Sequence, residues 1–168
     1  MDCVFVNGRR LEVRQIAGSM CLAPLVFLHE GLGSVSMWTQ RGLDWPQALC
    51  RATGRAGVVF SRLGYGQSES IGAGRNQLQP DYMHHQAWGV LPALLGQLQI
   101  QNPVLVGHSD GATIALLHAS RFPVAGCVAM APHVLVEAVT LEAIATAKMA
   151  FETRHALTGG LRGRLAKH

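Results

Sequence analysis

The sequence predicts an α/β fold built on a doubly wound, mostly parallel sheet. Three observations predict it. Short continuous apolar runs recur along the chain, each ending in a glycine-containing turn. Helical segments alternate with them, which is the pattern of parallel strands joined by crossover helices. Length agrees as well, since 168 residues that are 49% hydrophobic and 14% charged can bury a substantial core.

The elements follow in order. Val4-Phe5-Val6 and Leu11-Glu12-Val13 flank Asn7-Gly8, the dipeptide that favours a tight type I′ hairpin turn. Pro24 to His29 is a continuous apolar run, as expected of a strand buried on both faces. Gly57 to Ser61, Pro103 to His108 and Ala125 to Met130 repeat that pattern. A helix is predicted over Pro46–Thr53, with Pro at its start and Gly54 just past its end. A second is predicted over Tyr82–Leu98, capped by Asp81 and kinked at Pro92. Ala112–Ser120 and Leu141–Arg154 complete the set. Gly64 to Gly74 reads as a glycine-rich loop within the domain.

Composition excludes several classes of function. Low charge and high apolar content argue against a disordered chain, and no apolar run reaches the ~20 residues of a membrane helix. The net charge of +4 comes from 14 basic residues spread from Arg9 to Lys167, without the basic stripe that a nucleic-acid partner requires. Only the tail, from Arg154 to His168, is locally basic. Cys3, Cys21, Cys50 and Cys127 have no metal-ligand spacing, and no basic-then-apolar leader opens the chain. The expectation is therefore a cytoplasmic protein with reduced thiols, no metal, no cofactor, no nucleic acid and no membrane.

Chemistry concentrates at Gly107-His108-Ser109-Asp110-Gly111. A strand precedes this Gly-x-Ser-x-Gly pentapeptide and a small-residue helix follows it, which is the setting of a nucleophile elbow. A serine on so sharp a turn projects its hydroxyl above the sheet, while the next backbone N–H, that of Asp110, points at a developing oxyanion. His29-Glu30-Gly31-Leu32-Gly33-Ser34 follows a buried strand, and its glycines allow the N–H of Gly31, or of Leu32, to complete the oxyanion hole. Dinucleotide binding is the competing interpretation of Gly31-Leu32-Gly33. It fails because the third glycine is missing and because Phe60-Ser61-Arg62 ends the next strand without a ribose-binding acid.

Three segments, His29-Glu30-Gly31-Leu32-Gly33, Ser61-Arg62-Leu63-Gly64-Tyr65-Gly66-Gln67-Ser68 and Gly107-His108-Ser109-Asp110-Gly111, stand in the order found in the α/β-hydrolase superfamily, which the chain resembles over residues 1–134. The resemblance implies an α/β-hydrolase fold and a serine hydrolase acting on small esters or carbon–carbon bonds through an acyl-enzyme. Ser109 would be the nucleophile, and the amides of Gly31 and Asp110 its oxyanion hole. Leu32, Trp38, Tyr65, Trp88 and His133 would shape the pocket, and residues 135–168 would begin a helical lid. Two departures stand out: Glu30 replaces a usual glycine, and Ser61 stands where many relatives carry aspartate. Serine at the elbow also speaks against the dehalogenase and epoxide-hydrolase branches, which use aspartate there.

A serine nucleophile needs a histidine base oriented by a carboxylate. The acids after Ser109 are Asp110, Glu137, Glu142 and Glu152; the histidines are His118, His133, His155 and His168. None matches the family order, in which the acid follows a seventh strand and the histidine an eighth. Two more such units would each add ~30 residues, so the fold is expected to stop before its last two strands. Residues 125–130 would then form an apolar sheet edge through which copies could associate. Two other readings stay open: a non-catalytic chain that depends on association, and acyl transfer or perhydrolysis at the same site.

Overall fold

Strands buried on both faces, Leu25–Leu28 and Gly57–Phe60, form the centre of the architecture. The computed structural model describes residues 2–19, 21–71, 79–135 and 138–158. Strands β1 (Asp2–Val6) and β2 (Arg9–Ile16) form the expected hairpin, with Asn7 and Gly8 at φ 51° and 75° as the type I′ turn requires. After β3 (Leu25–Leu28) come a single 3₁₀ turn (Val35–Trp38) and a minimal ladder of β4 (Thr39–Gln40) with β5 (Leu43–Asp44). These small elements were not foreseen.

Helix α1 (Trp45–Thr53) starts on Asp44, whose carboxylate accepts the Gln47 N–H at 3.0 Å, and stops on left-handed Gly54. Strand β6 (Gly57–Phe60) follows, then α2 (Tyr82–His85), a π-helical turn (Gln86–Val90) and α3 (Leu91–Gln97). Strand β7 (Val104–His108), helix α4 (Asp110–Ala119), strand β8 (Gly126–Met130) and helix α5 (Ala138–Thr158) complete the order.

One expectation about the second helix, its Asp81 cap, needs correction, and the disturbance expected at Pro92 takes the form of a π turn. Asp81 makes no side-chain capping bond, because its φ/ψ of −97°/13° is not the extended geometry a capping carboxylate uses. Pro92 is accommodated by the π turn before it. Proline lacks an N–H and its ring crowds the carbonyl four residues back, so widening that turn makes room.

The main sheet runs β1-β2-β6-β3-β7-β8, antiparallel across its first three strands and parallel thereafter. It is the predicted mixed, mostly parallel sheet. Period-two alternation sends Val26, Leu28, Val58, Phe60 and Leu105 to one face, where they pack with Leu91, Leu94 and Ile114. Leu25, Phe27, Val59 and Val106 face the other side with Val35 and Cys50. The parallel strands β3, β6, β7 and β8 share one C-terminal edge, and ligand sites of open α/β sheets lie along such an edge.

Residue contacts divide the chain into Met1–Pro132 and His133–His168. The first unit contains the sheet. Helix α5 dominates the second and extends the predicted Leu141–Arg154 helix in both directions. Among the residues outside the described set are those numbered 72–74 of the glycine-rich loop, Glu137, and the tail from 159 on. Among the described residues no helix is long and apolar enough to cross a membrane, and no His/Cys/Asp/Glu cluster could hold a metal. All four cysteines are free thiols.

Candidate active site at the C-terminal edge of the sheet

Ser109 joins β7 to α4 at φ 54° and ψ −118°, a conformation that non-glycine residues avoid. Three backbone bonds hold it there. Its N–H donates to Met130 O at 2.9 Å, and its carbonyl accepts from Ala112 and Thr113 at 3.0 and 3.1 Å. Although it stands at the N-cap position, its hydroxyl makes no capping bond to α4.

The flanking glycines have steric reasons. A Cβ on Gly107 would lie 2.3 Å from Gly111 O. One on Gly111 would lie 2.1 Å from Leu28 O and 2.7 Å from His29 O, inside the end of β3. Strand, turn and helix approach so closely that only hydrogen fits at these two positions.

The loop after β3 meets this turn. A Cβ on Gly31 would sit 3.0 Å from Asp110 Oδ2, so the two residues predicted to supply oxyanion-hole amides are adjacent. Arg62 locks the loop in place. Its Nη1 donates to His29 O at 2.6 Å, its Nη2 to Glu30 O at 2.8 Å, and its backbone N–H to His29 Nε2 at 3.0 Å. With Nε2 accepting and Nδ1 donating to Glu30 O at 2.7 Å, His29 is a neutral imidazole with both nitrogens engaged. Burial first, then the Arg62 charge, lowers its pKa to about 3. Such a ring is a structural group and not a general base.

Glu30, the departure from glycine, therefore serves the loop through its carbonyl, which also accepts from Gly33 N at 3.1 Å. Its side chain lies 3.8 Å from His108 Nδ1. The second departure is compensated from another strand. Ser61 Oγ donates to Glu12 Oε2 at 2.6 Å and accepts the Val35 N–H at 2.9 Å, while Gln67 N donates to the same Glu12 oxygen at 2.9 Å. Glu12 on β2 is 4% exposed, and it supplies the carboxylate that Ser61 does not. The only sequence signal for it was a charged residue inside the apolar alternation of β2.

Other predicted residues scatter. Trp38 sits edge-on to Phe27 and lines a cleft of about 630 Å³ with Trp45, Leu49, Val106, Val128 and Met130. That cleft lies on the α1 face of the sheet, and its lining includes His108 but not Ser109, so it is an uncovered sheet face beside the turn. Leu32 is 76% exposed. Tyr65 stacks obliquely on His29, with the Arg62 guanidinium 5.0 Å from its ring centre. Trp88 donates to Leu117 O at 2.9 Å and lies under Arg121, which ties the π turn to α4. His118 is buried, with Nδ1 on Ala87 O at 2.8 Å, and burial lowers its pKa. His133 belongs to the second unit.

One further contact reaches Asp110 from a distant element. Tyr82, at the start of α2, donates its hydroxyl to Asp110 Oδ2, the oxygen that also lies 3.8 Å from Arg62 Nη2.

Comparisons with known proteins place the fold and the family. A model described as "Alpha/beta hydrolase family" matches residues 25–166. No curated protein matches the sequence. Among solved structures, an alpha/beta hydrolase fold protein from Burkholderia ambifaria has a TM-score of 0.65 at 20% identity, covering 93% of this chain and 55% of that one. The haloalkane dehalogenase DatA from Agrobacterium tumefaciens C58 has a TM-score of 0.59 at 24% identity, covering 78% of this chain and 40% of that one. An epoxide hydrolase from Vigna radiata gives 0.56 at 22% identity, over 75% and 38%. The chain thus spans about half or less of the length of these structures, whose likeness speaks for the fold. With most of its length matched by the family model, the chain belongs to the alpha/beta hydrolase family.

Proposed function

We propose that this chain carries the nucleophile and oxyanion hole of a serine hydrolase acting on small carbonyl substrates, esters or carbon–carbon bonds. The observation that supports it most is Ser109, a non-glycine residue at φ 54° between β7 and α4 with the Gly31 loop against its neighbour Asp110. In this reading Ser109 Oγ adds to the substrate carbonyl while a general base takes its proton. The oxygen becomes an oxyanion held by the amides of Gly31 and Asp110, in the favourable field of the α4 N-terminus. Collapse expels the leaving group with a proton and leaves an acyl-serine, which water hydrolyses. Serine at this turn separates the reading from aspartate-based dehalogenase and epoxide chemistry. Residues 135–168 are read as the start of a helical lid.

The base and its orienting carboxylate are assigned to neither His29 nor His118, whose rings serve the fold. For an activated ester, whose leaving group departs without a proton, acylation of Ser109 depends less on that base than hydrolysis of the acyl-serine does. Incubation with p-nitrophenyl acetate is expected to give an acetyl adduct, seen by intact mass, that accumulates with little turnover. Absence of an adduct, or an adduct that persists in Ser109→Ala, contradicts the proposal.

A second reading concerns assembly. Strand β8 ends the sheet, with Val128 49% and Met130 39% exposed. We propose that copies of the chain associate through this edge.

A further inference from the structure

Asp110 plays two opposed parts in the site just proposed. Its amide is a candidate donor to the oxyanion, while its carboxylate carries negative charge to the same place. The carboxylate lies against Gly31, the other candidate donor, with Oδ2 3.0 Å from where a Gly31 Cβ would stand. An unmasked carboxylate there would oppose the charge that the two amides are meant to receive, since like charges in a partly desolvated site repel strongly.

The surroundings of Oδ2 answer that problem. Tyr82 donates its hydroxyl to it, and the Arg62 guanidinium, 3% exposed, lies 3.8 Å away. Arg62 cannot swing to follow the carboxylate, because its Nη1 and Nη2 are tied to the carbonyls of His29 and Glu30. Tyr82 comes from a different element, the first turn of α2, and so holds the carboxylate independently of the loop that Arg62 braces. Burial, followed by the Asp110 contact, holds the phenol well above its usual pKa, so it stays a donor.

We infer that Tyr82 is a positioning residue of the oxyanion hole, holding and masking the Asp110 carboxylate so that the amides of Gly31 and Asp110 can receive negative charge. The inference rests on the serine-hydrolase reading. It assigns Tyr82 no contact with substrate; its effect passes through Asp110.

The test is a double-mutant cycle on the full chain, read as the rate of Ser109 modification by a fluorophosphonate. Tyr82→Phe is expected to slow modification on the order of tenfold. In an Asp110→Asn background, where no charge needs masking, the same substitution is expected to cost much less. Equal rates for wild type and Tyr82→Phe overturn the inference. So does an equal loss in both backgrounds, which is what a merely structural tyrosine would give. If wild type is unmodified, or Ser109→Ala is still modified, the nucleophile reading fails instead. The Tyr82–Asp110 pair is then decided by tyrosinate absorbance in a Tyr65→Phe chain, which leaves Tyr82 as the sole tyrosine. Ionisation at lower pH in Asp110→Asn supports the pair, and an unchanged titration overturns it.

Discussion

Ser109 holds a backbone conformation that costs a non-glycine residue roughly 1–3 kcal/mol. Ser109→Gly should therefore raise the thermal midpoint by a few degrees while removing all acylation. A lower midpoint in that variant would show that the turn is not strained. His29 gives the residue scale a pH dependence. Its folded pKa of about 3 lies below the ordinary 6.5, so the unfolded chain binds the extra proton between those values. Stability from this group is complete above pH 6.5 and falls as pH drops toward 3, by up to a few kcal/mol. Urea titrations across that range should show a shallower slope in His29→Gln than in wild type. At this scale the serine and its glycines were legible because a tight turn restricts residue type. Glu12 and Tyr82 were not, because their partners Ser61 and Asp110 are 49 and 28 residues away and only the folded sheet brings them together.

Elements were more legible than their joints. Strands β3, β6 and β7 are continuous apolar runs, and α1 carries both of its stop and start signals, so their limits could be read to within a residue or two. The π turn before Pro92 could not be read, since proline announces that a helix must adjust without saying how. The packing of α4 against β3 makes the sharpest prediction at this scale. Gly111→Ala would push a methyl group into Leu28 O, and backbone cannot yield there as a side chain can. A loss of roughly 3 kcal/mol or more is expected in urea denaturation. A change below 1 kcal/mol, by the same measure, would mean that the helix can slide outward ~1 Å at small cost.

For the whole molecule, the sheet order and the shared C-terminal edge explain why three loops far apart in sequence converge on Ser109. The same order leaves β8 as an edge, with the 630 Å³ cleft beside it lined by apolar side chains. Sedimentation velocity should show concentration-dependent association that weakens in Val128→Lys, since charge on an edge strand disfavours pairing. A monodisperse monomer at all concentrations would refute association through this edge. Fold class was readable from alternation and turn chemistry alone. The contacts of individual side chains were not, because Trp88 binds Leu117 O and Tyr65 packs on His29 only once the sheet has brought them together.

The central claim is that the geometry around Ser109 makes this one hydroxyl chemically distinct. Oxyanion holes retain about 10³–10⁴-fold rate enhancement when a triad member is lost, so selectivity should survive even without a general base. Peptide mapping after limited exposure to a fluorophosphonate tests this directly. Modification is expected at Ser109 well ahead of every other serine, and it is expected to disappear in Ser109→Ala. Modification spread evenly over the serines of the folded chain would contradict it.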